Sequence, residues 1–219
     1  LQRFSPLTVY KENLYCVCDV DGGYGIFEIM DSGYRHLTTF PKRLLSMTVA
    51  NNRFYAVTES GAFYAYYLNN IQNEPFEATE PNNYKAVCAY DDDVYVVQDN
   101  SIRLYSTEDK AFTDFEISVS SSSKHRLNGA SNLLLANNKL FIADDGNDRI
   151  SVYDTVNGTF ETAITSTLPT PFLSSYGETL LVSSAQEAVL YSLSAKGYGD
   201  TLLQIPTEAL DGNVIGAAC

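Results

Sequence analysis

Apolar and polar positions alternate along this chain in short runs, and the runs recur at a nearly fixed interval. Five ten-residue blocks align without gaps: YKENLYCVCD from Tyr10, ANNRFYAVTE from Ala50, YDDDVYVVQD from Tyr90, ANNKLFIADD from Ala136 and YGETLLVSSA from Tyr176. Their spacings are 40, 40, 46 and 40 residues. Each block opens on a polar turn and runs into an apolar, aromatic or β-branched strand. An aromatic residue follows in the next strand of every unit: Phe27, Tyr66 or Tyr67, Tyr105, Tyr153 and Tyr191. Helical periodicity is nearly absent.

Each unit therefore reads as four short strands. In the fourth unit these are NLLLANN, KLFIADD, RISVYDT and TFETAIT, with DDGND and TVNG as turns between them. Pro41, Pro81, Pro169 and Pro206 punctuate the passage between units, where a missing N–H does no harm to a ladder. Four antiparallel strands in a repeat of about 40 residues are the signature of a β-propeller. The expected fold is all-β, one propeller domain over residues 1–219, with blades over 7–41, 44–81, 84–119, 131–166 and 170–207. Residues 208–219 read as the start of a further strand or as a tail, which leaves a six-bladed or longer array as the alternative. Residues 1–6 and 208–219 are expected to join in β-pairing, within the chain or with another copy as an oligomer or filament, because open edges invite association.

The fourth unit, LFIADDGNDRISVYDTVNGTF, resembles the NHL and YVTN class of propeller repeats over most of its length. VYVVQDNSIRLYSTEDKAF and FYAVTESGAFYAYYL follow the same pattern more loosely. With no Trp and no Gly-His pair, the chain departs from WD40 repeats. The resemblance implies the propeller fold and says little of function, since propellers host lyases, lactonases, lectins and scaffolds.

DDGND packs three carboxylates into five positions, yet it falls where the second and third strands turn. Asp, Asn and Gly suit such a turn, and the Glu that an EF-hand places twelfth in its loop is missing. It reads as a turn, and no metal site is expected. Strands that would line a propeller's channel carry almost no ionisable residue besides Lys85. Glu12, Asp92 and Glu178 sit on hairpins at the rim, and no pair or trio of inward carboxylates suggests acid–base or calcium chemistry. Neither His36 nor His125 belongs to a zinc or triad motif. No catalytic residue and no cofactor is expected.

Charge narrows the partners. Lys plus Arg number 14 against 27 Asp plus Glu, a net charge of −13, which repels nucleic acid and anionic lipid. No apolar run reaches the roughly 18 residues of a membrane helix. No signal peptide is visible, and the chain opens on Leu1 rather than Met, as if an N-terminal segment had been removed. Cys16, Cys18, Cys88 and Cys219 are too few and too irregular for a disulfide scaffold, and Cys16 and Cys18 share one face of a strand.

The six extra residues of the longer spacing fall in SSSSKHRLNGA, residues 120–130. Insertions in propellers map to loops on one face, often the binding face. Lys124, His125 and Arg126 are clustered there in an otherwise acidic chain, and they are the candidate binding residues for a carboxylate, sulfate or acidic partner. Asn157-Gly158-Thr159 is a possible N-glycosylation sequon. Sixteen Tyr and eleven Phe supply rigid amphipathic area suited to protein or glycan contacts. The expected function is thus a non-catalytic binding or assembly scaffold, extracellular or at the cell surface. The alternatives are a calcium-assisted lactonase or lyase and an intracellular, cytoplasmic interaction platform.

Overall fold

The computed structural model describes residues 6–115, 126–169, 171–184 and 187–206. Twenty strands among them form five four-stranded antiparallel sheets. The first holds β1 (Leu7–Tyr10), β2 (Asn13–Val20), β3 (Gly23–Met30) and β4 (Gly33–Phe40). The second holds β5 (Leu44–Ala50), β6 (Arg53–Thr58), β7 (Phe63–Tyr67) and the short β8 (Glu77–Ala78). The third is β9 (Tyr84–Tyr90), β10 (Asp93–Gln98), β11 (Ser101–Ser106) and β12 (Ala111–Asp114). The fourth is β13 (Ala130–Ala136), β14 (Lys139–Asp144), β15 (Arg149–Asp154) and β16 (Thr159–Thr165). The fifth is β17 (Phe172–Tyr176), β18 (Thr179–Ser183), β19 (Glu187–Ser192) and β20 (Thr201–Pro206). Strand order in every sheet follows chain order, so these are propeller blades and the expected fold is met. Of the segments to which terminal pairing was assigned, 1–6 and 208–219, all but residue 6 lie outside the described residues.

Turn chemistry explains the registers. Tyr10 faces Asn13, Ala50 faces Arg53 and Ala136 faces Lys139 across two-residue loops. Both loop residues take positive φ: 49° and 67° at Lys11 and Glu12, 43° and 57° at Asn51 and Asn52, 52° and 58° at Asn137 and Asn138. That is the turn whose twist matches the flanking strands, and Asn tolerates it best. At Gly23, which opens β3, φ is 149° and a Cβ would stand 2.2 Å from the Phe40 carbonyl oxygen, so only glycine fits.

Burial falls across each blade. The second strands β6, β10 and β14 are buried on both faces, whereas the last strands β12, β16 and β20 are mostly exposed. The chain divides into two compact units, Leu1–Thr113 with the first three blades and Asp114–Cys219 with the last two. Within the first unit, Tyr15, Ile26, Phe40 and Phe54 join blades one and two, and Tyr55, Phe63, Val94 and Tyr105 join blades two and three. Within the second, Phe141, Ile150, Leu180 and Val189 join blades four and five. Each such side chain contributes roughly 1.5–3 kcal/mol by leaving water.

Candidate functional site

One carboxylate of the cluster that looked most chemical in the sequence is fully used by the fold. Asp144 ends β14 with no exposed surface. Its Oδ2 accepts hydrogen bonds from Arg149 Nε at 2.8 Å, Asn147 Nδ2 at 2.8 Å and Ser151 Oγ at 3.1 Å. Its Oδ1 accepts the backbone N–H of Asn128 at 2.6 Å. The rest of DDGND is the turn its composition predicts: a 3-10 turn over Asp145–Asn147, closed by Asp148 at φ 49°. Among the described residues, no three His, Cys, Asp or Glu side chains converge on a metal position.

This hub also receives the end of the inserted loop. Asn147 Nδ2 and Arg149 Nη2 donate to the Arg126 carbonyl at 2.9 and 3.4 Å, Leu127 is buried, and the Gly146 N–H donates to the Asn128 carbonyl at 2.8 Å. The Arg126 side chain is left exposed. Lys124 and His125 lie outside the described residues.

Sequence reasoning missed this hub, although the repeat carried a signal for it. The ninth position of the repeated block is never a large apolar residue: Cys18, Thr58, Gln98, Asp144 and Ser184. In two blades an Arg follows five residues later, and Arg103 Nη1 donates to Gln98 Oε1 at 2.8 Å as Arg149 does to Asp144. Gln98 Nε2 in turn donates to the Asn82 carbonyl, 3.2 Å away on the chain entering blade three. The position thus ties the incoming strand to the turn between the second and third strands.

Glu28 plays a comparable part in blade one. It is 5% exposed and accepts from Tyr15 Oη at 2.7 Å, Asn13 Nδ2 at 3.0 Å and the Arg35 guanidinium at 2.5 and 3.0 Å. Burial alone would raise its carboxyl, but the Tyr15 and Arg35 bonds, the Arg35 charge and the Asn13 amide hold it below the usual range.

At the opposite end from these second turns, the first and third hairpins of each blade carry open polar surface. Glu12 and Glu178 stand exposed on the first hairpins of blades one and five. Asp92, on the first hairpin of blade three, reaches back to blade two, where Asn51 Nδ2 at 2.7 Å and Arg53 Nη1 at 2.6 Å both donate to its Oδ1. The Asn51 bond and then the Arg53 bond and charge lower its carboxyl. Beside this pair opens a cleft of about 550 Å3 lined by Arg53, Asp92, Asp93, Tyr105, Thr107 and Glu108, among others. A smaller cleft of about 280 Å3, between blades one and two, is lined by Phe40, Pro41, Tyr64, Tyr66 and Pro75 among others.

The remaining candidates have local roles. His36 is exposed on β4, 3.0 Å from Thr39 Oγ1 and with its ring 5.0 Å from that of Phe27. Lys85 Nζ donates to the Asp99 carbonyl at 2.9 Å. Asn157 is exposed in the turn between β15 and β16, where its N–H and Nδ2 donate to Asp154 at 2.8 and 3.2 Å. Cys16, Cys18 and Cys88 are free thiols. No helix among the described residues is long and apolar enough to cross a membrane.

No protein-family model matches the sequence, and no curated protein matches it significantly. Solved structures do match in fold. A chain of the nidogen/laminin complex superposes with a TM-score of 0.73 at 11% identity, over 98% of this chain and 84% of that one. BamB from Moraxella catarrhalis superposes with a TM-score of 0.54 at 12% identity, over 96% of this chain and 62% of that one.

Proposed function

We propose that this β-propeller, built from repeats of the NHL/YVTN-like kind, is a non-catalytic binding scaffold acting outside the cell or at its surface. One observation carries the reading. The two carboxylates buried among the described residues, Glu28 and Asp144, each accept four hydrogen bonds from neighbouring groups, so they hold blades and loops in place. A general acid or base needs a proton-exchanging face toward a substrate, and neither presents one. What the fold offers a partner is its clefts and hairpin rims, rich in Tyr, Asn and Asp. The nidogen/laminin structure is that of a protein complex, which favours a protein partner here too, with glycan as the other class.

In this reading the loop bearing Lys124, His125 and Arg126 contacts the partner, and the terminal segments 1–6 and 208–219 mediate any self-association. The test compares affinity for a purified partner in the wild type and in a Lys124→Ser, His125→Ser, Arg126→Ser triple variant. Affinity should weaken roughly tenfold, the effect of about 1.4 kcal/mol, with thermal stability unchanged. Equal affinity removes the loop from the interface. Stoichiometric calcium binding lost on Asp92→Ala, accompanied by lactone or glycan turnover, overturns the scaffold reading in favour of a calcium-assisted enzyme.

A further inference from the structure

Two cysteines lie side by side on β2. Tyr15 and Val17 point into the cluster between blades one and two, so Cys16 and Cys18 point to the opposite face of the sheet. Both are free thiols, Cys16 half-buried and Cys18 exposed. They are hydrogen-bonded to one another, which brings the two sulfurs together. Burial, and then the charge and hydrogen bond of Cys18, push the Cys16 thiol up to about 11. The neighbouring strands shelter the pair with carbon. Cys16 is flanked across the ladder by Leu7 on β1 and Phe27 on β3, and Cys18 faces Gly25 on β3. A Cβ at Gly25 would stand 2.8 Å from Phe27 Cε2 and 3.0 Å from Val20 Cγ1. The missing side chain thus lets the Phe27 ring lean along β3 beside the thiols, while Cys18 keeps its access to solvent.

Two familiar uses of a thiol pair fit this geometry poorly. Cα atoms two apart on a strand are roughly 6.4–6.8 Å from one another. That is the far limit of the range of about 4.4–6.8 Å that a disulfide spans, so closing one would distort β2. A structural zinc ion needs four ligands, and among the described residues no three His, Cys, Asp or Glu side chains converge. A soft, closed-shell monovalent cation escapes both limits. Copper(I) is selected by thiolate sulfur, and two sulfurs in line satisfy it. Metal–thiolate bonds of roughly 2.3 Å would set the sulfurs about 4.6 Å apart. Side chains on one face of a strand reach that span without moving the backbone.

We propose that Cys16 and Cys18 form a two-coordinate copper(I) site on the face of blade one turned away from blade two. The ion takes the place of the proton shared between the sulfurs. Two S–H bonds break, two Cu–S bonds form, both protons pass to water and copper stays in its +1 state. The chain's net charge of −13 favours the approach of a cation, and exposed Cys18 is the sulfur it meets first. The site goes beyond the partner-binding reading, which rests on other residues.

The experiment titrates the full chain, carrying Cys219→Ser and kept free of oxygen, with copper(I) against a chromophoric copper(I) chelator. One copper(I) should bind per chain, and X-ray absorption should show two sulfur neighbours and no nitrogen. Cys16→Ser and Cys18→Ser should each weaken binding by roughly a hundredfold or more, with unchanged circular dichroism. Alkylating Cys18 in the folded protein should give the same loss without a substitution, and Cys88→Ala should bind as its parent does. Because binding releases two protons, affinity should rise between about pH 6 and pH 7.5 by up to roughly a hundredfold per unit, where a single thiol would give tenfold. The proposal is overturned if no copper(I) is taken up, if either Ser variant binds as tightly as the parent, if the pH slope is tenfold or less, or if zinc(II) binds as tightly as copper(I). The loop triple variant should keep its copper whether or not it loses a protein partner, so the two readings fail separately.

Discussion

Replacing Asp144 with alanine should cost far more stability than the loss of a turn residue. The substitution strands four donors: the Arg149 guanidinium, the Asn147 amide, the Ser151 hydroxyl and the Asn128 N–H. Ser151 is fully buried and the Arg149 side chain is 17% exposed, so water replaces the carboxylate poorly at both. Removing one partner of such a buried pair typically costs about 3–5 kcal/mol, a large share of a total stability of about 5–15 kcal/mol. With a urea slope of roughly 2 kcal/mol per molar, the midpoint should fall by roughly 1.5–2.5 M. The assay is urea unfolding at neutral pH, followed by far-ultraviolet circular dichroism and by tyrosine emission, which the absence of Trp leaves unobscured. Pairing Asp144→Leu with Arg149→Met should recover only part of the loss, since it removes the unpaired charge but leaves the buried Ser151 hydroxyl and the Asn128 N–H without their acceptor. A cost for Asp144→Ala below about 1 kcal/mol, the level of an exposed ion pair, would refute the claim that this carboxylate organises blade four.

Two further outcomes are expected. Because the folded Glu28 carboxyl titrates below its unfolded value of about 4.3, its contribution is complete above that value and is lost as the pH falls through the lower, folded one. Glu28→Gln should therefore lower the melting temperature at neutral pH and flatten its decline between about pH 5 and pH 3; parallel curves would contradict this. In a Cys219→Ser background, a thiol reagent at neutral pH should modify exposed Cys18 first and Cys16 slowly. Burial and then neighbouring Cys18 push the Cys16 thiol up to about 11, and buried Cys88 should react only on unfolding. Fast modification of Cys88 in the native protein would contradict its burial on β9.

The fold was legible because the same short pattern is written five times, so weak signals from Asn51-Asn52, Asp91 or Asn137-Asn138 reinforce one another as hairpin tips. The hub was not legible as a hub. Asp144 sits at the end of an apolar strand beside a turn whose composition explains it adequately, and its burial depends on Asn128, sixteen residues earlier, folding back onto it. The cleft between blades two and three was harder still. It joins Arg53 to Asp92 and Tyr105, 39 and 52 positions apart, and only the stacking of neighbouring blades brings them together. Asp92 was noticed as a rim acid, but its pairing to Asn51 and Arg53 belongs to the packing of blade on blade. Period-two patterning carries no information about that.

Because strand order within each sheet matches chain order, each ladder closes over a short stretch of chain. Loop-closure entropy grows with the length of chain enclosed, so the hairpins are cheap to form although the protein is all-β, and its blades need not wait for distant segments. A blade hides its faces only against a neighbour, which makes assembly a propagation along the chain rather than a single global search. During synthesis, blade two can dock on blade one as soon as β8 has emerged, and blade three on blade two some forty residues later. Once Asp114 is out, the ladders of blades one to three and the aromatic clusters between them can be complete while blades four and five have still to emerge.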